Sequence, residues 1–262
     1  MIDLNDITIR ICGKTLLENA SAHIPDNKKV GLIGHNGCGK STLFRAILNE
    51  QSIETGTISY PTNSRIAHMR QEMNDTDVSP LNYLLSADKE RTELLNRLQN
   101  APETQLAEIY ERLSAIEADT AEARACQILK GLGFKDTDFH RPLSEFSGGW
   151  RMRVALAATL FQPSDILLLD EPTQGLDVSG ENQMYQLIFD YQKQSGCCIV
   201  MASHDLNFVL ARSNQVLCLN GHLCCQGKPD KVKNYSLFDK VPYTHHHDHV
   251  HTLEGTVCSC SK

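Results

Sequence analysis

The chain has 262 residues, 41% of them hydrophobic and 22% charged, with a net charge of -7. That length suits one large domain with a sizeable core, or two small ones. No apolar run approaches the roughly 20 residues that cross a bilayer, and the excess of acid argues against a broad nucleic-acid surface, which needs clustered Lys and Arg.

The N-terminus, MIDLNDITIR, alternates and carries acids where a secretory signal needs a basic patch and then an apolar stretch, so a cytoplasmic chain is expected. Ile2, Leu4, Ile7, Ile9 and Ile11 predict a first strand, and Val30 to Ile33 a second that ends at a glycine. Helical spacing follows over 40–48, then short strands over 58–60 and 66–69. Residues 80–132 run almost without glycine and are rich in Leu, Ala, Glu and Arg, which predicts an inserted helical subdomain. This stretch is also the acidic part of the chain, with 15 Asp and Glu against 8 Lys and Arg between Glu72 and Glu145. Beyond Ser147 come a helix, the strand ILLLD, a helix near 179–194, the strand CCIVMAS, a helix from Asp205 and strands near 215–220 and 222–226. Such alternation predicts a parallel sheet covered on both faces. The last twenty residues are too polar to join that core and read as a tail. Ten cysteines are scattered, with adjacent pairs at Cys197-Cys198 and Cys224-Cys225, and most read as small buried hydrophobes.

Three motifs carry chemistry. Gly34, His35, Asn36, Gly37, Cys38, Gly39, Lys40, Ser41 and Thr42 fit G-x-x-x-x-G-K-[ST] between a strand and a helix. Glycines there let backbone N–H groups face phosphate oxygens, Lys40 reaches the β and γ phosphates, and Ser41 holds Mg²⁺. Asp170 and Glu171 close a buried strand at the end where ligands sit in α/β sheets; Asp170 is expected on the magnesium and Glu171 beside the attacking water. Ser147, Gly148 and Gly149 open a helix and form a second amide cluster, read either as phosphate-facing or as a plain N-cap with a tight turn. One triphosphate does not need two such clusters from one chain. Cys38 sits at a helix N-terminus, a setting that lowers a thiol pKa, or simply fills space.

At these residues the chain resembles the ABC ATPase superfamily over residues 1 to about 240. The resemblance implies an α/β fold, a P-loop NTPase (RecA-like) core with an N-terminal antiparallel β subdomain and an inserted helical subdomain over 72–146 of a 1–241 domain, followed by a tail over 242–262. It implies ATP and Mg²⁺ as ligands, Gln71 as the Q-loop glutamine near the metal, Ser147 to Gly149 as the signature, Asp170-Glu171 as the Walker B end, Asp177 as the D-loop residue and His204 as the switch histidine. In such proteins the signature of one subunit closes over the ATP of the other, so an ATP-bound homodimer is expected. Ile11 and Cys12 stand where an adenine-stacking aromatic is often found.

The resemblance divides near Thr173. Upstream, TAEARACQILKGLGF and FSGGWRMRVALAATLF look like F-type ABC proteins, which have two ATPase domains and often act on ribosomes. Downstream, EPTQGLDVSG, MASHDLNFVLARSNQVLCLNGHLCCQGKP and the tail look like the ATPase subunit of bacterial zinc importers. That likeness implies an integral membrane permease, a periplasmic metal-binding protein, and a place on the cytoplasmic face of the inner membrane. An F-type translation factor and a chimeric ATPase without a productive partner are the alternatives. In the tail, His245, His246, His247, His249 and His251 surround Asp248, with Cys258 and Cys260 beyond, which suits a flexible Zn²⁺ site.

Overall fold

The computed structural model describes residues 1–69, 77–203 and 206–232. In chain order they form β1 (Ile2–Ile11), β2 (Lys14–Ile24), β3 (Lys29–Gly34), α1 (Lys40–Ile47), β4 (Thr55–Ser59), β5 (Ile66–Met69), α2 (Pro80–Ala87), α3 (Lys89–Asn100), α4 (Glu103–Ala115), α5 (Ala121–Gly131), α6 (Gly148–Phe161), β6 (Ile166–Asp170), α7 (Val178–Ser195), β7 (Cys198–Ala202), α8 (Leu206–Arg212), β8 (Gln215–Leu219), β9 (Leu223–Gly227) and α9 (Pro229–Val232). Single 3₁₀ turns lie at Asp136–Asp138 and Leu143–Glu145. The chain splits into two compact units: residues 1–64, 168–171 and 197 onward, and residues 65–167 with 172–196. The unit that holds the helical insertion is thus wider than 72–146, since it takes in α6 and α7.

In the first unit, an antiparallel sheet runs β2-β1-β4. The hairpin between β1 and β2 is closed by Cys12 and Gly13, with φ of 49° and 78°. A two-residue loop with both φ positive matches the twist of the strands it joins. Ile2, Leu4, Ile7 and Ile9 of β1 are buried together with Leu17, Ala20, Ala22 and Ile24 of β2. Strand β2 is absent from the sequence reading. Its inward positions include two alanines, and Asn19, at a φ of 45°, breaks the alternation of apolar residues.

The second sheet of this unit runs β6-β7-β3-β8-β9. β3 lies parallel to both β7 and β8, but β9 is antiparallel to β8. The expectation of an all-parallel sheet is therefore corrected at this edge. Only three residues, Asn220 to His222, separate β8 from β9, with Gly221 at a φ of 74°, and a parallel return would need a crossover of a dozen residues. Val30, Leu32 and Ile33 of β3, Ile199 to Ala202 of β7 and Val216 to Leu219 of β8 are all buried. A Cβ on Gly31 would collide with the Val209 side chain, so the glycine lets α8 lie close on β3. Cys218 and Cys225 oppose one another across β8 and β9 and are joined as a disulfide, while Cys197 and Cys198 are buried in the core.

In the second unit α2, α3 and α7 begin on side-chain caps. The Ser79 hydroxyl accepts from the Asn82 N–H at 3.3 Å with Pro80 in the first turn of α2. The Asp88 carboxylate accepts from the Arg91 N–H at 3.0 Å to start α3. α3 and α4 form a hairpin with a small core of its own, Leu94, Ile109 and Leu113. α6 is buried on every side from Val154 to Phe161 and packs against α2, α5 and α7. β5 runs beside the start of β6, where the Arg65 carbonyl accepts from the N–H groups of Asp165 and Ile166 at 2.9 and 3.1 Å. Among the described residues no helix is long and apolar enough to cross a membrane.

Candidate functional site

β3 delivers Gly34 at its C-terminal end, and the loop that follows turns into α1 at Gly39. Gly37 and Gly39 have φ of 79° and 105°, a region that costs side-chain-bearing residues strain. A Cβ on Gly34 would collide with the Leu219 carbonyl, so this glycine lets the loop rise close over β8. Lys40 is buried at 7% exposure, and its ammonium donates to the carbonyls of Gly34 at 2.9 Å and His35 at 3.3 Å. It also lies 3.8 Å from Glu171 Oε1. Ser41 is exposed on the first turn of α1.

Asp170 is the last residue of β6 and is buried, with Glu171 directly after it. Glu171 has a φ of 46°, in the left-handed region, and its N–H donates to the Ala202 carbonyl of β7 at 3.0 Å. A non-glycine residue held there stores about 1–3 kcal/mol of strain that the surrounding structure must offset. No side chain caps α1 at Gly39, so its first-turn N–H groups, which lack intrahelical partners, are left for an anion. A Cβ on Gly37 would meet nothing within 4 Å, leaving that side of the loop open. An ammonium, a hydroxyl, two carboxylates and uncapped N–H groups at the C-terminal ends of β3 and β6 fit a nucleoside triphosphate with its magnesium.

The thiol of Cys38 corrects an expectation. Burial pushes it up, and the Lys40 charge and backbone hydrogen bonds, which work the other way, do not overcome that. Helix position alone suggested a lowered value; desolvation of the thiolate outweighs it.

The remaining described site residues belong to the second unit. Ser147 stands in the N-cap position of α6, yet its hydroxyl makes no capping hydrogen bond, and Ser147 and Gly148 are exposed. A Cβ on Gly148 would meet nothing within 4 Å, whereas one on Gly149 would come within 3.2 Å of Leu176. Asp177 caps α7, its carboxylate accepting from the Gly180 N–H at 3.1 Å. Gln71, His204 and the tail residues His245, His246, His247, His249 and His251 lie outside the described residues. Sequence reasoning missed the backbone strain at Glu171, because no composition signal marks a left-handed glutamate.

Residues 17–174, more than half of the chain, match the family model described as ABC transporter. The chain belongs to the ABC transporter family. It is thus an ATP-binding subunit and an ATP hydrolase. It is 37% identical over 243 residues to the probable ATP-binding protein YheS of Haemophilus influenzae, covering 91% of this chain but only 37% of that protein. It is 33% identical over 266 residues to the zinc import ATP-binding protein ZnuC of Pseudomonas fluorescens, covering 98% of this chain and 91% of that one. The chain therefore spans about a third of the one relative and nearly all of the other, and each match covers residues on both sides of Thr173. A dimeric ATP-binding cassette solved in a post-hydrolysis state with ADP and Pi shares the fold, with a TM-score of 0.66 at 21% identity over 87% of this chain and 99% of that one.

Proposed function

We propose that this chain powers import of zinc by binding and hydrolysing ATP as a homodimer docked on an integral membrane permease, on the cytoplasmic face of the inner membrane, with a periplasmic metal-binding protein delivering the cargo. The observation that carries this reading is the match to a zinc import ATP-binding protein along almost the full length of both chains. The histidines and cysteines of the tail supply ligands of the types zinc prefers.

Within the site, Lys40 exchanges its two backbone carbonyls for the β and γ phosphates, and the uncapped N–H groups of the loop and α1 hold the remaining phosphate oxygens. Ser41, Asp170 and Gln71 hold Mg²⁺. When bound, the ion offsets charge that develops on the phosphate oxygens. Glu171 orients the attacking water and accepts its proton, and His204 stands at the same γ phosphate. Gly34 to Thr42 thus act on one face of the nucleotide, and Ser147, Gly148, Gly149 and Asp177 of a second copy on the other. Support for that division comes from Ser147, which leaves its own helix uncapped.

A second reading is favoured by the higher identity to YheS and by the F-type likeness of the segments over α5 and α6: an F-type role on the ribosome. Affinity capture of the intact chain from membranes and from lysate separates them. Co-purification of an integral permease supports import, and co-purification of ribosomes overturns it. For the tail, calorimetry with Zn²⁺ compares the whole chain with one ending at Tyr243. Equal binding by both removes the tail as the site. Because zinc needs neutral imidazole, tail affinity should fall as pH drops through about 6.5.

A further inference from the structure

Arg153 lies in the second turn of α6, part-buried, and its guanidinium stands among α5, α6 and α7. Its Nη1 donates to the Leu132 carbonyl at the end of α5 at 3.0 Å. Its guanidinium carbon stands 4.7 Å from the centroid of the Trp150 ring, over the ring face. Its Nη2 would lie 2.6 Å from a Cβ on Gly180, and the Asp177 carboxylate oxygen that caps α7 would lie 2.7 Å from the same point. Trp150 in turn meets Phe134 edge-on at 4.8 Å, and Phe134 packs on Phe146 at 5.7 Å. The three residues from Ser147 to Gly149 therefore lie between the rings of Phe146 and Trp150, and the guanidinium on Trp150 stands beside the first turn of α7 at Gly180.

We propose that Arg153 is a positioning residue that fixes the turn at Ser147–Gly149 and the turn at Asp177 as one piece. It touches no reacting atom. Planarity and five N–H donors allow one arginine side to lie on an indole while its edge reaches a carbonyl and a neighbouring turn, which a lysine cannot reproduce. The absence of a side chain at Gly180 leaves the space that this edge occupies. In a helix interior, alanine is ordinarily the better residue than glycine; here the glycine is required by Arg153 and Asp177.

The effect on turnover rests on the reading that both turns face ATP held by a second copy, but the mechanical coupling does not. Two variants test it in the full-length chain. Gly180→Ala crowds the far ends of two flexible side chains, so it displaces the guanidinium without unfolding the unit. Trp150 is the single tryptophan of the chain, so its emission reports that displacement directly. The expected result is a red shift in Gly180→Ala and a similar one in Arg153→Gln. Amide exchange should quicken in Arg153→Gln at residues 147–152 and at 175–181 together. Exchange that quickens in only one of the two turns, or unchanged emission in Gly180→Ala, overturns the coupling. Steady-state kinetics then give a kcat lowered by up to about a hundredfold with KM for ATP little changed, the size expected when a supporting contact lets a reacting group drift by about 1 Å. Arg153→Lys should recover little of it. Coupled exchange with an unaltered kcat would contradict the facing of the two turns toward ATP, and would leave the coupling in place.

Discussion

The two units carry site residues that are held in opposite ways. In the first, the charged groups are engaged before any ligand arrives: Lys40 is buried on the carbonyls of Gly34 and His35 and lies 3.8 Å from Glu171, and Asp170 closes a buried strand. In the second, Ser147 and Gly148 are exposed, the Ser147 hydroxyl does not cap its helix, and space around Gly148 is open. The first half carries charge, N–H groups and a buried scaffold, the features that the proposed phosphate site needs. The second has amides and a helix end but lacks a fixed cation among these residues, so it suits a phosphate brought to it by another surface.

That contrast can be broken most severely at Glu171. Glu171→Gln keeps the size and hydrogen-bonding reach of the side chain but removes the base, and turnover should fall by about 10²–10⁴-fold while ATP still binds. Undiminished hydrolysis in a phosphate-release assay would take Glu171 out of its role. Next comes Lys40→Ala, which removes a charge-assisted contact of about 1.5–3 kcal/mol, so ATP affinity measured by calorimetry should weaken about 10–100-fold. Full affinity would mean that the loop binds without its ammonium.

Gly148→Ala sharpens the comparison from the other side. A new Cβ meets nothing within the chain, and alanine favours helix over glycine by up to about 1 kcal/mol, so the melting temperature should hold or rise. Turnover should nevertheless drop about ten- to a hundredfold, because on the proposed function the methyl occupies the space where the nucleotide of a second copy docks. Unaltered kcat would mean that nothing approaches there.

The smallest effect is expected at Cys38. Because burial raises its pKa, maleimide labelling near pH 7 should lag behind that of the exposed Cys12 and gain as pH rises through the ordinary thiol range. The sign for stability follows: the folded chain holds this proton more tightly than the unfolded one, so the contribution is complete below the ordinary thiol pKa and is lost as pH rises through the raised value. ATP should slow the labelling further. Cys38 reacting faster than Cys12 at neutral pH would restore the thiolate reading.

Much of this was legible in the chain. The strand, loop and helix around Gly34 to Thr42 and the ILLLD strand with its two acids are written in spacing and periodicity, which local sequence controls. What escaped depended on neighbours distant in sequence. β2 hides behind small alanines and the Asn19 bulge, and it is recognisable only once β1 lies beside it. The antiparallel turn of β9 follows from three residues of loop, too short for the alternation rule to hold. The direction of the Cys38 shift depends on how deeply the loop is buried, and the role of Gly180 depends on an arginine on another helix. Spacing singled out the groups proposed to carry chemistry; packing decided how firmly each is held.

The most direct test of two half-sites completed by a second copy is the mass of the Glu171→Gln chain in sedimentation equilibrium, with saturating ATP and Mg²⁺ and again with ATP and a chelator. With product formation blocked, the chain should run at twice its 29.3 kDa mass in ATP-Mg²⁺ and as a single chain when the metal is removed. A single-chain mass in saturating ATP-Mg²⁺, with nucleotide demonstrably bound, would contradict completion of the site by a second copy.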